Sequence, residues 1–170
     1  SANVGSGLVV STGSLALADG IGAASNYTIS GNITFDINPR VLSIEASRPV
    51  NGSTTILSSV STLTNLVSGE NLTLSGSGVA AQSNAGNDIS ISDISSFSLS
   101  NGSGGLSSNY TLTGGTHLVD LTATSAFVTG ARVYDGLLTI SGSILTFVDP
   151  NDLSASVSVT GTGSISNADV

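Results

Sequence analysis

The 170-residue chain contains no cysteine, methionine, tryptophan or lysine, and only 8% of its residues are charged. The absence of cysteine excludes a disulfide scaffold, a thiolate zinc site and a cysteine nucleophile. Three Arg stand against eleven Asp and Glu, so the formal net charge is −8. This balance excludes a nucleic-acid binder, which needs cations to displace counterions from phosphates, and an anionic membrane surface would repel the chain. The missing methionine predicts a processed chain or part of a longer one.

Long apolar runs are also missing, since none approaches the roughly 18 residues of a membrane-spanning helix, and membrane insertion is not expected. The chain is instead rich in small polar residues, with 33 Ser, 18 Thr, 21 Gly and 13 Asn. Apolar residues alternate with Ser or Thr in many short runs, which is typical of strands with one buried face. Turn residues separate these runs at spacings of about 8–12 residues, which predicts an all-β, sandwich-like fold.

This interpretation places Ile, Leu, Val and Phe inside the fold and Ser and Thr outside. The best helical spacing of apolar residues falls in residues 54–67. That segment is rich in Ser and Thr, which compete for backbone hydrogen bonds and disfavour a helix interior.

An internal repeat of about 84 residues is the most informative pattern in the chain. The order of its landmarks predicts that residues 1–38 close one module, residues 39–122 form a complete module and residues 123–170 open the next. The matching landmarks are 25–30 with 108–113, 83 residues apart, 48–52 with 132–136, 84 apart, and 71–78 with 156–163, 85 apart.

The repeat predicts tandem β-sandwich-like modules of about 85 residues that form an elongated rod or fibre. A part-module by itself would expose apolar strand faces and unpaired backbone edges. The rest of the module could come from the next repeat of the same polypeptide or from the N-terminal strands of a neighbouring chain. A continuous array is the expectation, so the predicted partners are neighbouring repeats or identical subunits.

The segment Arg132-Val133-Tyr134-Asp135-Gly136, with the Thr-Ile and Val-Ser-Val-Thr-Gly strands that follow it, resembles the YDG repeat. The Asn-Tyr-Thr-Leu strand at residues 109–112 fits the end of such a repeat. The other copy reads Val50-Asn51-Gly52, and Asn-Gly favours the same turns as Asp-Gly. YDG modules occur in tandem in filamentous-haemagglutinin-like bacterial surface adhesins. The resemblance therefore implies secretion, an extracellular or cell-surface location, and a structural or adhesive role in a filament.

No arrangement of residues predicts catalysis or a cofactor, so the chain is not expected to be an enzyme. The single histidine, His117, has no cysteine and only Asp120 near it in sequence, which makes a metal site improbable. Asp149, Asn151 and Asp152 place three oxygen-bearing side chains in one turn and are weak calcium candidates. A solvated turn is the preferred interpretation of these three residues.

Six asparagines lie in Asn-x-Ser/Thr sequences and are candidate glycosylation sites. A carbohydrate-binding module of a secreted protein is the alternative function, with an unidentified host or matrix glycan as its partner. The scarcity of aromatic residues, at 4%, favours the structural interpretation over this alternative. The six candidate sites are Asn26, Asn32, Asn51, Asn71, Asn101 and Asn109.

Overall fold

The computed structural model describes residues 3–11 and 13–166. These residues form an all-β structure in which every helix is a three-residue 3-10 turn: Ala24–Asn26, Ser58–Val60, Ser107–Asn109 and Gly142–Ile144. The strands are β1 Gly5–Val10, β2 Ile33–Ile37, β3 Arg40–Val41, β4 Ser43–Pro49, β5 Thr55–Leu57, β6 Ser61–Thr64, β7 Leu72–Ser75, β8 Ser77–Ala80, β9 Gly86–Asp93, β10 Ser98–Asn101, β11 Tyr110–Thr111, β12 His117–Thr122, β13 Phe127–Gly130, β14 Thr139–Ser141, β15 Leu145–Val148 and β16 Thr162–Ser164. The predicted all-β class is confirmed.

The chain divides into two compact units, each built from three stretches of sequence. The first unit takes in the described residues of 1–42, 65–73 and 99–115, and the second takes in those of 43–64, 74–98 and 116–170. Strands β7 and β10 pair with each other, and each of them crosses a boundary of this division.

A six-stranded mixed sheet in the second unit holds most of the core. Its strand order is β5-β8-β9-β12-β4-β6. The centre is a parallel pair, in which β12 runs beside β4 from His117↔Ile44 to Thr122↔Pro49. The other pairs are antiparallel.

Alternation in the sequence explains which face of this sheet is buried. In β12, His117, Val119 and Leu121 are buried, and the residues between them are partly exposed. In β4, Ile44 and Ala46 are buried, and Glu45 between them is exposed. The predicted period of two is therefore confirmed in these strands, where each buried side chain packs on the same face as its neighbours. Ile56, Ala80, Ile89, Ile91 and Phe97 complete the buried apolar set of the second unit.

Residues 54–67 show why helical spacing misleads in this chain. They form strand β5, one 3-10 turn and strand β6. Ser61 Oγ donates a 2.8 Å hydrogen bond to the carbonyl oxygen of Leu57, so a hydroxyl satisfies backbone at the turn between the strands. Ile56 is fully buried because β5 pairs with β8 at the edge of the sheet.

The first unit contains smaller sheets, with β1 antiparallel to β2 and β11 parallel to β3. Its buried side chains are Leu42, Leu72 and Tyr110. The hydroxyl of Tyr110 donates to Glu70 Oε2 at 2.5 Å and accepts from the amide of Val67 at 3.3 Å. The hydrogen bond to Glu70 raises the pKa of Tyr110 because it stabilises the protonated phenol.

The expectation that apolar strand residues lie inside is wrong for parts of the chain outside the six-stranded sheet. Phe35 of β2 is 60% exposed, and Val128 of β13 is 48% exposed. Both strands belong to two-stranded sheets, so no further strand of the described residues extends those sheets beside them.

We expect Val119→Ala to lower the free energy of unfolding by about 2 kcal/mol, because it leaves a cavity between β9 and β4. The same substitution at Val128 should cost less than about 1 kcal/mol in dilute solution, because that side chain is half exposed. Urea unfolding followed by circular dichroism measures both values. Equal losses at the two positions would contradict the assignment of the core.

Candidate functional site: two incomplete sheets with unpaired edges

Strands β13 and β15 reproduce the pairing of β4 and β6 at a distance of 84 residues. Both pairs are antiparallel, have four partners and enclose a 3-10 turn at the same position, Ser58–Val60 in one and Gly142–Ile144 in the other. The register is Ser43↔Thr64, Ile44↔Leu63, Glu45↔Thr62 and Ala46↔Ser61 in the first pair and Phe127↔Val148, Val128↔Phe147, Thr129↔Thr146 and Gly130↔Leu145 in the second.

Strands β14 and β16 reproduce the pairing of β5 and β8 in the same way. Ile56 lies opposite Gly78, and Ile140 lies opposite Gly163. The hydrogen bonds at the ends of these pairs also correspond. The amide of Ala80 donates to Thr54 O at 2.8 Å, and the amide of Ile165 donates to Leu138 O at 2.9 Å.

The hairpin β1–β2 reproduces the pairing of β9 and β12, including its bulge. In each bulge a residue with positive φ, Gly7 at +62° or Asp88 at +53°, turns its amide towards an aspartate of the partner strand. Gly7 N donates to Asp36 Oδ1 at 2.6 Å, and Asp88 N donates to Asp120 Oδ1 at 2.9 Å. The matched partners are Gly5↔Ile37, Leu8↔Phe35 and Val9↔Thr34 in one hairpin and Gly86↔Leu121, Ile89↔Val119 and Ser90↔Leu118 in the other.

These correspondences define two incomplete sheets. The leading hairpin is β1–β2, and the trailing pairs are β13–β15 and β14–β16. In the six-stranded sheet, the counterparts of β1 and β2 lie between the counterparts of β16 and β13. Among the described residues, β1, β2, β13 and β16 each have one strand partner, so each leaves one backbone edge without a paired strand.

The same strands expose apolar side chains that are buried in the complete copy. Each exposed residue has a counterpart at the equivalent position of the six-stranded sheet or its flanking turn. Clustered apolar exposure beside an open strand edge marks an interaction surface. The exposed fractions, each with that of the counterpart, are Leu8 38% against Ile89 8%, Tyr27 65% against Tyr110 7%, Phe35 60% against Val119 1%, and Val128 48% against Ile44 0%.

The turn that carries the Tyr-Asp-Gly triplet is held by an arginine in both copies. Arg132 Nη1 donates to Asp135 Oδ2 at 2.6 Å, and its Nη2 donates to the carbonyl of Leu137. Asp135 Oδ1 also accepts from the amide of Leu137 at 2.9 Å, and Gly136 has a φ of +73° that favours glycine. Tyr134 itself is 71% exposed.

The second copy of this turn uses Asn in place of Asp. Arg48 Nη1 donates to Asn51 Oδ1 at 2.5 Å, and Nη2 donates to the carbonyl of Ser53. Gly52 has a φ of +75°, close to its counterpart. Partial burial lowers the pKa of Arg48 because desolvation disfavours the charged guanidinium. The two turns share one geometry, in which arginine, the Asx oxygen and glycine all serve the backbone.

The calcium candidates Asp149, Asn151 and Asp152 lie in one turn after β15, but the two carboxylates accept from nearby protein donors. Asp149 is buried and accepts from the amide of Asn151 and from Thr124 Oγ1, both at 2.9 Å. Asp152 Oδ1 accepts from the amide and hydroxyl of Ser154 at 3.1 and 2.6 Å. These donors, with the Asn151 amide foremost, lower the pKa of Asp149. Within residues 3–11 and 13–166, no group of three or more His, Cys, Asp or Glu could hold a metal ion.

His117 has a structural position at the start of β12. Its Nδ1 accepts a 3.1 Å hydrogen bond from the amide of Ile44, on the neighbouring parallel strand. The imidazole therefore joins β4 to β12 where the ladder begins. A histidine would otherwise interrupt the apolar face, and this contact accounts for its burial.

The candidate glycosylation sites differ in exposure, and the proposal that they are modified stays a prediction. Asn109 is half-buried and accepts from the amide of Val4 at 2.9 Å. The side-chain oxygens of Asn51 and Asn101 accept hydrogen bonds within their own turns. The other three sites, Asn26, Asn32 and Asn71, are exposed.

Comparison with known families assigns the middle of the chain. Residues 38–117 match the YDG domain. This segment is a YDG domain. It runs from just before β3 to the first residue of β12, and it covers slightly less than half of the chain. No curated protein and no solved structure matches the chain.

The YDG domain contains the Asn51-Gly52 turn, and the Tyr134-Asp135-Gly136 triplet lies outside it. The domain begins one residue before the predicted complete module, 39–122, and ends five residues before the end of that module. The predicted division into 1–38, 39–122 and 123–170 stays a prediction. No helix in the described part of the chain has the length and apolar character needed to cross a bilayer.

We expect chelation to leave the melting temperature unchanged. The carboxylates of Asp149 and Asp152 already have protein donors, so no cation is needed to satisfy them. Differential scanning calorimetry with and without EDTA tests this. A fall of many degrees on adding EDTA, reversed by calcium, would contradict the interpretation of this turn.

The lowered pKa of Asp149 predicts an acid-sensitive contribution to stability. The ionised group stabilises the fold above its unfolded pKa of about 4, and this contribution is lost as pH falls through the lower folded value. Asp149→Asn places the residue found at the equivalent position 65. The variant should be less stable than the parent at pH 7, and the difference should shrink towards pH 2. Urea unfolding measures it, and a difference independent of pH would contradict the expectation.

Proposed function

We propose that this chain is a non-catalytic structural repeat of an extracellular bacterial surface fibre, either an adhesin stalk or a filament. The observation that carries the proposal is the coincidence of strand register at a distance of about 84 residues in three separate strand pairs. Compositional similarity alone would not reproduce a bulge, a 3-10 turn and an arginine-held turn at equivalent positions. We therefore treat the chain as parts of successive modules of one type.

The exposed apolar faces support an array of modules over isolated domains. A free-standing module gains nothing from exposing Phe35 or Val128, because burying such a side chain is worth about 1.5–3 kcal/mol. In an array, the opening strands of one module and the closing strands supplied with its neighbour would bury each other. Each module would then share its core with the sequence that follows.

The connection between β2 and β3 supports a stiff rod. Only Asn38 and Pro39 separate the end of β2 from the start of β3. Proline fixes its own φ and restricts the residue before it, so this connection has few conformations. Arg40 then fixes the start of the module, since its Nε and Nη2 donate to the carbonyl and side-chain oxygens of Asn65, both at 2.6 Å.

The surface chemistry and the family resemblance supply the proposed location. Ser, Thr and Asn cover the exposed faces of the strands, and charges are few. The resemblance of the Arg-Val-Tyr-Asp-Gly turn to the modules of filamentous-haemagglutinin-like adhesins places the parent protein outside the cell or at its surface. We propose neighbouring repeats as its partners in the fibre.

Chains lengthened by one, two and three further 84-residue modules test the rod. Small-angle scattering should show a maximum dimension that grows by the same increment with each module. Replacing Asn38-Pro39 at each joint by Gly-Ser is the matched control and should broaden the distance distribution, because Gly/Ser segments are flexible. An equally broad distribution in the parent series would contradict the proposal.

A glycan panel tests the alternative, a carbohydrate-binding module. Such a module stacks exposed aromatic rings on sugars, and Tyr27 and Tyr134 are exposed. Saturable binding of the chain to a glycan, weakened by Tyr27→Ala or Tyr134→Ala, would favour the alternative. Retained rod growth without glycan binding is the result that we expect.

A further inference from the structure

We infer that two copies of this chain join head to tail by completing one six-stranded sheet between them. The leading hairpin of one copy inserts between β16 and β13 of the other, and the resulting order is β14-β16-β1-β2-β13-β15. This order reproduces β5-β8-β9-β12-β4-β6 strand for strand. The inference rests on the repeat architecture of the proposed function but not on its location outside the cell.

The parallel pair β4–β12 fixes the expected register of the junction. Because β2 corresponds to β12 and β13 to β4 at a distance of 84 residues, each observed pair predicts one pair between copies. The central prediction is Thr34 opposite Thr129, which corresponds to Leu118 opposite Glu45. The neighbouring predicted pairs are Ile33 with Val128, Phe35 with Gly130, Asp36 with Ala131 and Ile37 with Arg132.

Side-chain volumes at the predicted junction compensate for one another. In the complete sheet, Val119 lies beside Ala46. At the junction the larger Phe35 would lie beside Gly130, so one side gains volume where the other loses it. Gly130 has no room for a Cβ, which would fall 2.8 Å from Ile144 O and 2.9 Å from Leu145 Cδ2. The bulky member of the pair must therefore come from β2.

The second edge of the hairpin has an equally defined neighbour. In the complete sheet, Ala80 pairs with Ile91 across β8 and β9. The equivalent residues are Ile165, just after β16, and Val10 at the end of β1. Ile165 already holds the position of Ala80, since its amide makes the corresponding backbone hydrogen bond. The gap between β16 and β13 thus offers apolar partners to both strands of the hairpin.

The junction joins different surfaces of the two copies, so it does not close on itself as a two-fold dimer does. A heterologous contact of this kind can repeat and produces open chains. A second copy is the occupant that fits, because the leading hairpin has the register, the bulge and the exposed apolar residues of the missing strands. Association should therefore increase steadily with concentration and have no fixed stoichiometry.

Disulfide trapping tests the register directly, because the chain has no cysteine of its own. Thr34→Cys and Thr129→Cys place single thiols on exposed positions of β2 and β13. Mixing the two variants under a mild oxidant should give a disulfide heterodimer. The matched control pairs Thr34→Cys with Ala131→Cys, which shifts one thiol by two residues, about 7 Å along the strand. The in-register mixture should form heterodimer at least about tenfold faster, because disulfides tolerate little displacement.

Sedimentation of single-substitution variants tests the interface without cysteine. Phe35→Ser should abolish the rise of average mass with concentration. Phe127→Ser is the matched control, since Phe127 is 55% exposed but lies one residue from Val128 in β13 and therefore on the other face. It should leave association unchanged. Circular dichroism of each variant establishes that it is folded before sedimentation.

Three outcomes would overturn the inference. They are an average mass independent of concentration, equal trapping in both cysteine mixtures, and a disulfide formed within single chains of Thr34→Cys/Thr129→Cys at high dilution. These failures are distinct from failure of the proposed function. A chain lengthened with further modules could still grow as a rod while the 170-residue chain stayed monomeric.

Discussion

The parallel pairing of β4 with β12 is the contact on which the described core depends. It joins residues 73 positions apart, and the buried His117 and Ile44 meet at its first pair. Closing so long a loop costs conformational entropy that only burial on both strands can offset. β9 and β6 then add to the outer edges of this pair, and β8 and β5 follow. Loss of the central pair would therefore separate the sheet into two parts that each lack a core.

The sequence predicted the strands of this sheet better than their arrangement. The alternation of Val119 and Leu121 with polar residues was sufficient to predict a strand and its buried face. Alternation gives no information on the order or direction of strands, so the parallel pair could not be predicted from it. Residues 54–67 show the opposite problem, because apolar residues of two short strands and a turn coincide with helical spacing by chance. There the Ser and Thr content was the better guide.

The candidate site was predictable in outline through the repeat and not in its details. Landmarks such as Tyr27 and Tyr110 predicted which segments correspond, and the strand register agrees with those distances. The bulge contacts of Asp36 and Asp120 could not be foreseen, because each carboxylate receives an amide about 30 residues away. Nor could sequence show that Tyr27 is exposed while Tyr110 is buried. That difference arises from which strands are present to cover each ring.

The arginine contacts have a consequence for digestion by proteases. A trypsin-like protease must insert an Arg or Lys side chain into its specificity pocket, with the adjoining backbone extended across the enzyme. This chain has no Lys, and each of its three Arg side chains already donates hydrogen bonds to its own fold: Arg40 to Asn65, Arg48 to Asn51 and Ser53, and Arg132 to Asp135 and Leu137. Cleavage at any of them must first break those contacts. The residues that fix the turns thereby also protect the folded chain from this class of enzyme.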